Sequence, residues 1–306
     1  MDEMGESLLR LLPPVLRARD FRLYTQGRGP GAGGRSGEGR LVDLWQSGGR
    51  AILGHTPAGV LRELKNSASR GLFAPFPHPL EGRLAKALSR LFPNRVFRFY
   101  EDRSSLDKAL AAAGFPRTGP FPDPAFPPAP DTPDEAPCVS LWRPFLEDSA
   151  LSPIGSPEAS ILVPVFPWPL SPWVLALDRS LDDRFAPSEL VSPVLLAGAA
   201  RAFYDLIAAG KRGGRPVYPK INRALYGTPG PWRCRGIYLT FLPLQGPAPA
   251  AEATPLAWET LFRRFLEGGF LIPPSPQDPL ILPGSLSPGE ETALAALLRS
   301  CISFSA

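Results

Sequence analysis

Lysine is scarce in this 306-residue chain: Lys65, Lys86, Lys108, Lys211 and Lys220 are five among 33 cationic residues, and the other 28 are arginine. Chemistry that needs a lysine amine, as a Schiff base formed on a side chain does, is confined to those five positions, because an arginine guanidinium stays protonated and cannot substitute. Histidine is scarcer still, with only His55 and His78. Neither has a serine or cysteine in a nucleophile elbow, and no acidic cluster accompanies them, which speaks against a Ser–His hydrolase and against a histidine metal site. His55, just after Gly54, is expected to bond backbone at a helix entry. The three cysteines, Cys138, Cys234 and Cys301, lie far apart without metal-ligand spacing and are expected as reduced thiols of a cytoplasmic protein. No stretch approaches the ~18 uninterrupted apolar residues of a membrane span. The acidic start MDEMGESLLRLLPP has no basic region ahead of an apolar one, as a signal peptide would.

Proline is what the chain has in excess, 40 residues or about 13% against a usual ~5%. The hydrophobic fraction of 44% is nevertheless that of a folded protein, so the prolines belong mostly in loops. The length suits one large core or two smaller ones. A net charge of +4 is small and is not gathered into one block, so no nucleic-acid partner is expected, and no membrane partner either.

Patterning then places elements along the chain. Residues 5–18 allow a short helix interrupted at Pro13-Pro14, and strands are expected at Phe21–Thr25 and Leu41–Trp45 around a loop, Gln26–Arg40, with seven glycines. Thr56 is placed to cap a helix, and a second runs over Leu80–Phe92. Arg95–Tyr100 reads as a buried strand, followed by a helix from Ser104 to Ala113 with Asp107 spaced as in a capping box. Such a strand-to-helix junction is where α/β proteins commonly hold phosphate. Phe115–Pro137 has nine prolines in 23 residues and should run polyproline-like over the surface, pinned by interleaved aromatics. Further strands are expected at Ile161–Phe166, Trp173–Leu177 and Ile237–Leu242. Helices are expected over Ser188–Ala209, Trp258–Leu266 and Glu290–Arg299. The order is that of an α/β protein. Gly29-Pro30-Gly31-Ala32-Gly33-Gly34 has dinucleotide-fingerprint spacing, but Arg35-Ser36-Gly37-Glu38-Gly39 cannot open a helix behind it, so it reads as a surface loop.

Three separated blocks, in the right order, resemble class III aminotransferases, the pyridoxal-phosphate enzymes that include glutamate-1-semialdehyde aminomutase. They are RLVDLWQSGGRAILGHTPAGVLRELKNSASRG with PLEGRLAKALSRLFPNRVFRFYEDRSSLDKAL, then Ser192–Ala200, then LFRRFLEGGFLIPPSPQDPLILPGSLSPGEETALAALL. The resemblance implies a shortened fold type I large domain with a central, mostly parallel sheet over 71–230, carrying the proline-rich loop 115–137. It implies a small α+β domain built from segments 1–70 and 231–306. It also implies a homodimer, because the cofactor cleft of such enzymes lies at the subunit interface.

The departures from that family fall on its chemistry. Glu101-Asp102-Arg103-Ser104-Ser105 stands where the family has a Ser-Gly-Thr phosphate turn, leaving Ser104 and Ser105 as candidate cofactor-binding residues. Asp178, ending WVLALD, is the candidate relic of the aspartate that pairs with the pyridine nitrogen. The stretch DRSLDDRFAPSELV after it holds no lysine, where the resemblance calls for the Schiff-base amine. The expectation is a degenerate aminotransferase-like binding or structural subunit with no catalytic residue and no bound cofactor. The alternative is an active aminotransferase or aminomutase holding pyridoxal phosphate on Lys211 or Lys220. Tyr218–Gly230, with two tyrosines, two cations and an asparagine, is expected as a loop that either lines a site for a small anionic ligand or orders a connection.

Overall fold

The computed structural model describes residues 3–27, 38–117, 119–126, 138–146, 159–212, 216–226, 230–242 and 255–301. The glycine-rich fingerprint at 29–34 and the prolines of 127–137 lie outside the described residues. Two compact units form, Met1–Thr56 with Arg215–Ala306, and Pro57–Gly214. Their boundaries lie at Thr56 and Gly214 rather than at 70 and 230.

The first unit opens with helix α1 (Glu3–Leu9), strands β1 (Val15–Arg19), β2 (Arg22–Gln26) and β3 (Glu38–Asp43), and a short turn α2 (Gln46–Gly49). The second unit follows: α3 (Ala58–Ala68), α4 (Leu80–Leu88), β4 (Arg95–Tyr100), α5 (Arg103–Ala112), β5 (Val139–Trp142), β6 (Ile161–Pro164), β7 (Trp173–Asp178), a 3-10 turn (Arg179–Arg184) and α6 (Pro193–Lys211). The chain then returns to the first unit with α7 (Pro219–Tyr226), β8 (Trp232–Arg235), β9 (Tyr238–Phe241), α8 (Pro255–Glu267), β10 (Phe270–Leu271), β11 (Leu280–Ile281) and α9 (Pro288–Ser300).

In the first unit one sheet has the order β1-β2-β3-β10 and another β11-β9-β8. The helix expected across 5–18 ends at Leu9, because Pro13-Pro14 removes two donors. Val15–Arg19 instead pairs antiparallel with β2 around Asp20, which takes a positive φ of 49° at the turn. Gly54 is required where it stands: its φ is +89°, and a Cβ there would meet the Asp20 carbonyl oxygen at 3.1 Å. His55 next to it bonds backbone as expected, its N–H donating to the Asp20 carbonyl at 2.7 Å, and its ring adds a partner of another kind, Nε2 to the buried Asp43 Oδ2 at 2.8 Å. The other Asp43 oxygen takes the N–H groups of Trp45 and Gln46, both at 2.8 Å. Residues 219–226 of the expected Tyr218–Gly230 loop are helix α7, which buries Ile221 and Ala224, while 227–229 lie outside the described residues.

In the second unit the sheet order is β4-β7-β6-β5. The mostly parallel sheet expected here is mixed: β4 and β6 both run antiparallel to β7, and only β5 and β6 are parallel. Residues 165–172 between β6 and β7 are too few for the crossover that parallel neighbours need, about a dozen residues or more. Phe92, Trp142, Phe166 and Phe203 pack edge-on or tilted, with ring centroids 5.0–6.3 Å apart, between the sheet and α6. Helix α6 starts at Pro193, not Ser188, since proline suits the first helical position and residue 192 before it is extended. Its Gly198 lets Trp168 approach so closely that a Cβ would lie 2.5 Å from the indole ring. By length and composition α6 could cross a membrane, but 61% of its apolar window is buried inside the protein, as in a core helix.

Candidate functional site

Strand β4 buries Phe99 and Tyr100 at its end, and burial pushes the Tyr100 phenol up to about 12. Three residues later, at Arg103, α5 begins. Its cap is Asp102, not Ser104: the Asp102 backbone is extended and its Oδ1 accepts the Ser105 N–H at 2.8 Å. Asp107 completes no capping box, because its Oδ2 takes Arg103 Nε at 2.7 Å. Ser104 is exposed and Ser105 half-buried on this first turn. The Arg103 guanidinium lies 3.8 Å over the Phe121 ring and 5.4 Å from that of Trp173. Arg117 approaches the same Phe121 ring at 5.2 Å and donates to the Pro120 carbonyl at 2.8 Å. Burial and the Arg103 charge lower the Arg117 pKa, against a smaller opposing pull from Asp107.

At the end of β5 stands a closed ion pair. Arg143, only 2% exposed, grips Asp123 with two arms, Nε to Oδ1 at 2.8 Å and Nη2 to Oδ2 at 2.5 Å. Asp123 belongs to the described part of the proline-rich segment, which lies along the open edge of β5: the Leu141 N–H donates to the Pro122 carbonyl at 2.9 Å. Phe121 is buried there, and Phe115 stacks on Phe185 at 6.1 Å. The aromatics thus pin the segment, and its prolines protect an edge strand from further pairing.

Register shows which of these features share one end of the sheet. Tyr100 pairs with Trp173, and Trp142 with Pro164. The α5 N-terminus and the Arg143–Asp123 pair are therefore both at the carboxyl end of β4, β5 and β6, where open α/β sheets bind ligands. Asp178 is not. It pairs with Arg95 at the start of β4, and the five steps from Arg95 to Tyr100, at ~3.4 Å each, span about 17 Å before the chain turns toward Ser104 and Ser105. Its Oδ1 lies 3.5 Å from Arg95 Nη2, and the same guanidinium donates to the carbonyls of Ala159, Ser160 and Ala176. The three candidate cofactor residues are not brought together.

The candidate amines are placed as follows. Lys211 is exposed in the last turn of α6. Lys220 opens α7, where Nζ donates to Thr292 Oγ1 at 2.5 Å and the backbone N–H to Glu291 Oε1 at 2.7 Å. Among the described residues no lysine lies within ion-pair distance of Asp178. Tyr218 of the expected ligand loop donates its hydroxyl to the Pro283 carbonyl at 2.6 Å, and burial pushes its pKa up to about 12. No group of three His, Cys, Asp or Glu among the described residues could hold a metal. The Arg143–Asp123 pair escaped sequence reading: an arginine after an apolar run signals little, and its partner is 20 residues away among prolines.

Comparison with solved structures gives this architecture a class: the chain has the fold of the class III aminotransferases. Ornithine delta-aminotransferase of Plasmodium falciparum superimposes with a TM-score of 0.62 at 10% identity, covering 98% of each chain. Acetylornithine aminotransferase from Elizabethkingia anophelis gives 0.62 at 12% identity, over 98% of this chain and 99% of that one. A glutamate-1-semialdehyde-aminomutase from Pseudomonas aeruginosa PAO1, in complex with PMP, gives 0.61 at 14%, over 95% and 88%. No family model matches the chain. Among curated proteins, an uncharacterized protein of Treponema pallidum (strain Nichols) is 28% identical over 211 residues, which are 69% of this chain and 58% of that protein. One of Borreliella burgdorferi is 33% identical over 100 residues, 32% of this chain and 30% of that protein. The matched region thus spans less than two thirds of either relative.

Proposed function

We propose that this chain uses an aminotransferase fold as a binding or structural subunit and forms no Schiff base with pyridoxal phosphate. The observation that carries the reading is the Asp102 cap, a carboxylate held 2.8 Å from the Ser105 N–H that a phosphate would need. An anion competing for that N–H would sit about 4 Å from the carboxylate, at a cost between ~1 kcal/mol in water and ~4 kcal/mol at an effective dielectric of 20. Two further observations support it. The neighbouring strand end is closed by Arg143 and Asp123, and the Asp178 carboxylate pairs with Arg95 at the opposite end of β4. These residues do not fit the cofactor. A homodimer in the cytoplasm, expected from the family resemblance and from three cysteines far apart in the sequence, belongs to the same reading.

The test is to add pyridoxal phosphate to the purified protein, record the absorption spectrum, reduce with borohydride and map any adduct. The expected result is no visible band from a bound imine and no covalent adduct beyond that of a denatured control. A stoichiometric band fixed by borohydride on Lys211 or Lys220, and lost on replacing that lysine by alanine, overturns the reading in favour of an active transferase.

A further inference from the structure

The second unit has a groove of about 890 Å³ that includes neither the α5 N-terminus nor the Arg143–Asp123 pair. One wall is β4, an edge strand of its sheet, contributing Arg95, Phe97 and Phe99, and the other is α4, contributing Gly82 and Ala85. On β4 the Phe99 N–H donates to Ser188 Oγ at 3.1 Å, and the Phe99 carbonyl accepts the Glu189 N–H at 3.0 Å. Phe99 therefore turns its backbone away from β7, and antiparallel alternation turns Phe97 the same way. Residues 188–189 thus begin an outer ladder on β4 that stops after one rung. At the next rung the Phe97 carbonyl has only the Arg98 guanidinium beside it, at 3.3 Å, and the Phe97 N–H has no acceptor among the described residues.

We propose that this groove receives an extended peptide, which adds to the β4 edge as a strand and lies between β4 and α4. Backbone bonding to Phe97 supplies the affinity, as in other strand-addition sites. Space is available on the helix side, where a Cβ built on Gly82 meets nothing within 4 Å. The charges state which peptide fits. Arg95 is paired with Asp178 and Arg98 with Asp182, which leaves Arg179 at the β4 start and Glu81 on α4 as the charges lining the groove with no partner among the described residues. The complementary occupant is a β-forming segment with an acidic residue at one end and a basic residue at the other. The proposal uses the edge of the sheet rather than its carboxyl end, so it stands or falls separately from the cofactor reading.

The experiment titrates the full chain into fluorescein-labelled KVTVTVTE and its reverse EVTVTVTK, followed by anisotropy at low ionic strength. Saturable binding of one of them is expected. N-methylation of alternate amides on one face of the peptide should weaken it at least tenfold, and methylation of the other face much less, because only one face meets the edge. Gly82→Trp should abolish binding by filling the groove, with an unchanged circular dichroism spectrum and melting temperature as the check on folding. Arg179→Glu should weaken the preferred peptide several-fold. Absence of saturable binding of both peptides up to about 1 mM, a concentration at which even a weak site fills, overturns the proposal. So does binding indifferent to both methylation patterns or to a folded Gly82→Trp variant.

Discussion

Replacing Asp102 by serine isolates what its carboxylate does at the α5 N-terminus. Serine keeps an oxygen that can accept the Ser105 N–H, so the helix retains a cap and stability should change by less than about 1 kcal/mol. What disappears is one negative charge about 4 Å from where an anion would bind. Coulomb's law puts its removal at ~1 kcal/mol with a dielectric of 80 and ~4 kcal/mol with 20. Asp102 is exposed, so the outcome should lie toward the lower figure, a gain of about fivefold to fiftyfold in anion affinity. Calorimetric titration with inorganic phosphate at about 20 mM salt, where screening is slight, reads this directly. The gain should shrink as salt rises. A change of less than twofold in a folded Asp102→Ser variant at low salt would refute the argument that this carboxylate closes the turn to anions.

Three further outcomes are expected. Asp123→Ala leaves Arg143 buried without its carboxylate and should destabilise the second unit by about 3–5 kcal/mol in urea unfolding, whereas the double variant with Arg143→Met should recover much of the loss. Burial pushes the Glu290 carboxyl up, but the Arg22 guanidinium and the Ser287 N–H and hydroxyl hold it below its ordinary value overall. A depressed carboxylate contributes stability above its unfolded pKa and loses it as pH falls through the folded one, so Glu290→Gln should cost about 2 kcal/mol at pH 7 and progressively less below about pH 4. Burial also pushes the Cys301 thiol up to about 11, so at pH 8 a thiol reagent should label exposed Cys138 rapidly and Cys301 only after unfolding.

Local patterns are legible where the responsible residues are neighbours in the chain. The run RVFRFY is strand β4 residue for residue, and the apolar spacing of α4, α8 and α9 places those helices within a few positions. Such patterns are not legible where a partner decides. Val15–Arg19 has the composition of a frayed helix end until β2 pairs with it, and the proline and glycine around Lys220 suit a loop, whereas α9 gives its helix a surface to pack on. The Ser104 and Asp102 pair illustrates the same point at one residue's resolution, since both are good caps and only backbone geometry assigns the role to Asp102.

The sequence alone establishes that side-chain amines occur at five places and that none lies between Asp178 and Val191, because the absence of a functional group needs no geometry. Which end of the sheet each loop reaches was left to the tertiary structure. Strand direction is a property of pairing: only when β7 runs antiparallel to β4 does Asp178 fall beside Arg95 and away from Ser104, and only when 120–126 docks on β5 does Asp123 reach Arg143. Hydrophobic alternation is the same read in either direction along a strand, so the choice that separates these residues rests on contacts between segments far apart in the chain.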